Sequence, residues 1–173
     1  MVLRKVKAKF KMNIIVLLLA NVLLISGCQK NNMEYVEDKL NVNLSGGKVI
    51  KATEIEDSFH GDGQTIIQIN IGEDKFVDQI KDNADWSKES NTVIDTVLYG
   101  YEDQEKGVAP MISEEDDKPI IPKIEKGFFY FKDKNNSSSD KNNLDFFKQP
   151  SFNFIVAVYD CETSTLYYCE YDS

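Results

Sequence analysis

The chain has 173 residues with 20 basic and 29 acidic side chains, so its formal charge at neutral pH is −9. That length allows one sizeable hydrophobic core and is too short for two large domains. With 42% hydrophobic and 11% aromatic residues, the composition is that of a folded protein and excludes a disordered chain.

The charges are unevenly placed along the chain. The first acidic residue is Glu34, and five basic residues precede the first apolar run: Arg4, Lys5, Lys7, Lys9 and Lys11. Beyond residue 27, 15 basic residues remain against 29 acidic ones, and Arg4 is the only arginine. A domain this acidic, with no guanidinium group, is a poor candidate for binding nucleic acid or phosphate.

Residues 1–28 have the three parts of a secretory signal. The basic stretch is followed by an apolar run from Ile14 to Ile25, by the small residues Ser26 and Gly27, and by Cys28. Only 14 residues lie between Ile14 and Gly27, counting both. A helix that spans a bilayer needs about 20 apolar residues, so a permanent anchor is not favoured.

The last four residues of this segment, Ile25-Ser26-Gly27-Cys28, resemble the lipobox of bacterial lipoproteins. The resemblance implies cleavage before Cys28 and a diacylglyceryl group on its sulfur, and two acyl chains anchor a protein stably. It predicts a signal peptide over 1–27, a lipidated tether over 28–33 and one globular domain over 34–173. We therefore expect a lipid-anchored protein on the extracytoplasmic face of the cell membrane. An uncleaved anchor, or a cysteine near an ordinary cleavage site, are the alternatives.

The first half of the mature chain predicts a helix, a hairpin and two more helices. A weak helical spacing covers Met33–Leu40. Val49–Phe59 and residues 64–71 alternate as two strands, joined by a turn at His60–Gly63. If the odd-numbered residues of both strands share a face, the residue numbers of each cross-strand pair must add up to an even number. A connecting loop with an odd number of residues, or a bulge, produces that register. A helix is predicted over 73–84, with Trp86 packing at its end. Thr92–Leu98 fits either a helix or a strand, and its spacing favours a short helix.

The second half predicts a turn-rich acidic stretch and three strands. Residues 101–118 carry seven acids, and Phe128–Phe131 is apolar on both faces, as in a central strand. Residues 133–143 are polar and predict a loop, and strands at Phe152–Asp160 and Thr165–Tyr171 form a hairpin through 161–164. The order predicts an α+β domain: a mainly antiparallel sheet of about five strands with one or two helices packed on it.

The segment Leu44-Ser45-Gly46-Gly47-Lys48 resembles the signature loop of ABC-transporter ATPases. Those domains also need a Gly-x-x-x-x-Gly-Lys-Ser/Thr loop to hold phosphates, and the sequence has none. We therefore interpret the segment as a Gly-Gly turn that enters the first strand.

Two polar groups are candidate sites. His60 is the only histidine, and with Asp62 it could act as a general base or contribute to a metal site, although a turn exposed to solvent explains the same residues. The second group is an acidic run that could bind calcium weakly or be only a solvated charge run: Glu114, Glu115, Asp116 and Asp117. No complete metal-ligand pattern and no Gly-x-Ser-x-Gly elbow is present in the sequence, so no cofactor is implied.

A second resemblance covers most of residues 55–171. It rests on Phe59–Gly63, Trp86, Tyr130-Phe131 and Ser151–Phe154, and it is to small proteins of Gram-positive bacteria without an assigned activity. It therefore implies nothing about function.

The function predicted from the sequence is a non-catalytic binding or accessory module on a lipid anchor. Its acidic surface favours cationic ligands or proteins, and the oligomeric state stays open. The alternative is a surface hydrolase or metal-dependent enzyme centred on His60 and Asp62. Cys161 and Cys169 are expected not to pair with each other, because the predicted hairpin separates them by more than a disulfide tolerates.

Overall fold

The structure is a computed structural model that describes residues 32–56, 63–102, 107–113, 118–136 and 144–173. The chain divides into two compact units, Met1–Leu40 and Asn41–Ser173. In the first unit, the described residues 32–40 form helix α1, as their spacing predicts. Val36 and Leu40 are four positions apart, share one face of this helix and are buried.

The described part of the second unit contains eight strands, two α-helices and one 3-10 helix. The strands are β1 (Lys48–Glu56), β2 (Gly63–Asn70), β3 (Trp86–Ser87), β4 (Tyr101–Glu102), β5 (Gly107–Val108), β6 (Gly127–Asp133), β7 (Asn153–Asp160) and β8 (Thr165–Asp172). The α-helices are α2 (Glu73–Ile80) and α3 (Thr92–Tyr99), and the 3-10 helix is Leu144–Lys148.

Six of these strands form one antiparallel sheet in the order β1-β2-β8-β7-β6-β3. The α+β class with a mainly antiparallel sheet is therefore confirmed, and the predicted count of about five strands is wrong. The additional strand is β3, whose two residues are too few to show an alternating pattern. Trp86, expected to pack at the end of the preceding helix, packs against Phe76 of α2 at 6.0 Å between ring centroids and also pairs with Tyr130 of β6.

The acidic stretch 101–118 was expected to be turn-rich and contains a little regular structure. β4 and β5 pair as a separate two-stranded sheet, and Ser113 forms an isolated antiparallel bridge with Pro119. These pairings are too short to be visible as strand patterns in the sequence.

The first hairpin forms, but with a different register from the predicted one. From the pair of Lys51 with Gln68 to the pair of Glu56 with Gly63, the two residue numbers add up to an odd number. A bulge at Ile50 shifts the register, so the numbers of the next pair, Val49 with Ile69, add up to an even number. The bulge moves Val49 to the opposite face from Thr53. The single odd face proposed for the first strand is therefore wrong, and the residues of the connecting turn, 57–62, lie outside the described ranges.

Helix α2 is shorter than predicted because a turn centred on Asn83 ends it. The carbonyl oxygen of Ile80 accepts from Asn83 N at 3.2 Å, and Asn83 Oδ1 accepts from Asp85 N at 2.9 Å. Such side-chain bonds to the backbone compete with continued helix. Ala84, expected on the buried stripe of the helix, is exposed in this turn.

The sheet is covered by helices on both faces. Phe76 of α2 packs at 4.8 Å from the ring of Tyr159 on one face. On the other face, α3 and the 3-10 helix pack in one apolar cluster with the inner strands: Ile66, Val93, Ile94, Val97, Leu98, Ile112, Ile121, Phe129, Phe131, Phe146, Phe154, Val156, Val158, Tyr167 and Cys169. Helix α3 begins where predicted, because Asn91 Oδ1 caps it by accepting from Ile94 N at 2.9 Å.

The C-terminal hairpin of β7 and β8 matches the prediction closely. Its connecting residues are 161–164, and Ser164 has a φ of 52°. Asp160 fixes the turn by accepting from Glu162 N at 2.9 Å and from Thr163 Oγ1 at 2.6 Å. The two strands lie at the centre of the six-stranded sheet.

Candidate functional site

The residues that the sequence singled out lie outside the described ranges. Cys28, His60 and Asp62 are among them, as is the acidic run Glu114–Asp117. The structure describes the segments on either side of two of these groups: β1 and β2 flank 57–62, and the Ser113–Pro119 bridge flanks 114–117. The predictions for lipidation, for a polar turn and for an acidic surface therefore stay predictions.

Within the second unit, a cavity of about 560 Å³ lies between the loop before β1 and the first two turns of helix α2. Its volume lies in the range of small-molecule sites. The lining residues are Asn43, Ser45, Gly46, Ile71, Gly72, Lys75, Phe76 and Gln79. We refer to this space as the loop–α2 cavity.

One glutamine joins the two walls of the loop–α2 cavity. Gln79 Oε1 accepts from the backbone N–H of Asn43 at 2.7 Å, and Gln79 Nε2 donates to the carbonyl oxygen of Asn43 at 3.1 Å. The same Nε2 also donates to the carbonyl oxygen of Lys75 at 3.1 Å. The side chain of Gln79 thus pairs with the loop backbone as a neighbouring strand would, and it sets the width of the cavity.

The Gly-Gly turn predicted before the first strand is present, and each position requires glycine for a different physical reason. Gly46 has a φ of +88°, in the left-handed region that favours glycine. A Cβ on Gly47 would lie 3.0 Å from the carbonyl oxygen of Leu44 and 3.1 Å from Cγ2 of Ile69. The first glycine turns the chain, and the second lets it pass close to β2.

The other wall is held at Ile71, where β2 passes into α2. The backbone N–H of Ile71 donates to the carbonyl oxygen of Ser164 at 2.9 Å, and its carbonyl oxygen accepts from Tyr159 Oη at 3.2 Å. Tyr159 is fully buried. The start of helix α2 is therefore tied to the C-terminal hairpin, which makes the cavity a preformed feature of the fold.

Several oxygen acceptors of the lining are used by the protein itself. The carbonyl oxygens of Asn43 and Ile71 and the side-chain oxygens of Asn43 and Gln79 all accept bonds from protein groups. Among the described residues, neither Asn43 Nδ2 nor Lys75 Nζ has a hydrogen-bond or ion-pair partner. Among the described side chains of the lining, Lys75 is the only charged one.

A second polar cluster lies at the other end of the α2-covered face. Glu170 forms an ion pair with Lys134 through Oε1 and accepts from Tyr168 Oη through Oε2 at 2.7 Å. The side chains of Lys134 and Glu170 are 25% and 12% exposed. The cluster connects Lys134, which follows the end of β6, to β8. Because the acid and the base neutralise each other, we interpret it as a structural contact.

The described cysteines do not form a reactive pair. No disulfide joins Cys161 to Cys169, in agreement with the prediction. Cys169 pairs with Val156 in the middle of the sheet and is completely buried. Burial raises the pKa of the Cys169 thiol well above its ordinary value, so the nucleophilic thiolate is disfavoured.

Comparisons with protein-family models, curated proteins and solved structures give no significant match. Within the described ranges, His, Cys, Asp and Glu side chains form no group of three or more that could hold a metal ion. Of the helices in those ranges, none combines the length and apolar character needed to cross a membrane.

Sequence reasoning missed the loop–α2 cavity. Lys75 and Gln79 are four positions apart, so the sequence places them on one helix face. Their partner Asn43 is 36 positions before Gln79, and no pattern in the sequence connects the two. The glycine turn was the only part of the cavity that could be anticipated.

Proposed function

We propose that the chain is a lipoprotein anchored on the extracytoplasmic face of the cell membrane, with residues 34–173 acting as a non-catalytic binding module. The observation that carries the anchor is the order of basic stretch, short apolar run and Ile25-Ser26-Gly27-Cys28. Each buried methylene of an acyl chain contributes about 0.8 kcal/mol, so two chains on Cys28 hold the module stably.

The binding role rests on the loop–α2 cavity. Gln79 and Tyr159 hold its walls through hydrogen bonds, so a ligand would meet a site that needs little reorganisation. The described side chains of its lining include one amine, amides and a hydroxyl. This set suits recognition by hydrogen bonds better than general acid–base catalysis near neutral pH.

The strongly acidic composition supports a second role for the outer surface. We propose that partners with positive charge, peptides or proteins, approach this surface through long-range attraction. That attraction weakens with salt, because the Debye length is about 8 Å at physiological ionic strength. The membrane contact itself is made through the lipid on Cys28.

The anchor is tested by metabolic labelling with a fatty-acid probe in cells that express the full chain. Cys28→Ala is expected to abolish labelling and to leave a larger, unprocessed precursor. Cys161→Ala is the matched control, because it removes a cysteine from a turn, and it should label as the original chain does. Labelling of Cys28→Ala at the original level contradicts the anchor.

A further inference from the structure

We draw no further inference here: the strongest candidate, the outer edge of β1 with the exposed side chains of Ile50 and Ile55, carries none, because nothing in the described part of the chain shows what covers it.

Discussion

Gly127 is the position where one added methyl group should disturb the sheet most directly. It begins β6 opposite Asp160, beside the bond from Cys161 N to the carbonyl oxygen of Lys126 at 3.0 Å. A Cβ at this position would lie 2.4 Å from the carbonyl oxygen of Tyr159. It would also lie 2.8 Å from Cγ2 of Ile124. Because the closest atom belongs to the backbone of β7, Gly127→Ala must move one strand against the other.

The expected cost follows from three contributions. Overpacking costs about 1–3 kcal/mol, and each ladder hydrogen bond that is lost costs about 1 kcal/mol more. Alanine recovers about 0.4–1 kcal/mol by restricting the unfolded chain. We therefore expect Gly127→Ala to lower the free energy of unfolding by about 2 kcal/mol.

Gly107→Ala is the matched control, since it is also a glycine-to-alanine change in a strand. Its Cβ would lie 3.9 Å from the carbonyl oxygen of Tyr101, an ordinary contact, so this variant should be neutral or slightly stabilised. Urea unfolding reports both through Trp86, the only tryptophan, which is 7% exposed and packs between Phe76 and Tyr130. Unfolding free energies within about 0.5 kcal/mol of each other, at equal m-values, would refute the steric argument.

Two further predictions concern buried side chains. Phe76→Ala should cost about 3–5 kcal/mol in urea unfolding, because the ring is fully buried against Tyr159 and Trp86, whereas the half-buried neighbour Val77→Ala should cost much less. Equal losses of unfolding free energy for the two variants would show that Phe76 is not the main contact between α2 and the sheet. Burial raises the pKa of Cys169 above its ordinary 9.0, so the folded state keeps its proton where the unfolded state loses it. Stability should therefore fall above about pH 9, by up to about 1.4 kcal/mol per pH unit. Cys169→Ala should flatten that fall in urea titrations, and an unchanged slope would contradict the burial argument.

The parts of the fold that the sequence predicts well are those fixed by local chemistry. The turn at Asp160 forms within four residues, and the Asn91 cap of α3 acts over three. In both cases the residue that ends the strand or begins the helix lies at the boundary of that element in the sequence. Local side-chain bonds of this kind are visible without knowledge of the rest of the molecule.

The errors occur where the outcome depends on a distant segment. The register of the first hairpin could not be predicted, because Ile50 looks like an ordinary strand residue and its bulge is defined only by the partner strand. β3 exists because β6 offers an edge to pair with, although Trp86 and Ser87 alone carry no strand pattern. The loop–α2 cavity is of the same kind, since Gln79 meets Asn43 across 36 positions.

The order of the strands has a consequence for how the sheet assembles. β2 lies beside β8, so the β1–β2 hairpin reaches the rest of the six-stranded sheet only through a strand that pairs with it across about 100 positions. Until β8 is in place, the apolar sides of Ile66 and Ile69 have no neighbouring strand to pack beside on that edge. Contacts between such distant positions form late, because closing a long loop costs entropy before the contacts repay it. We therefore expect the β1–β2 hairpin to join the sheet late in folding, with β8 as the strand that connects the two parts.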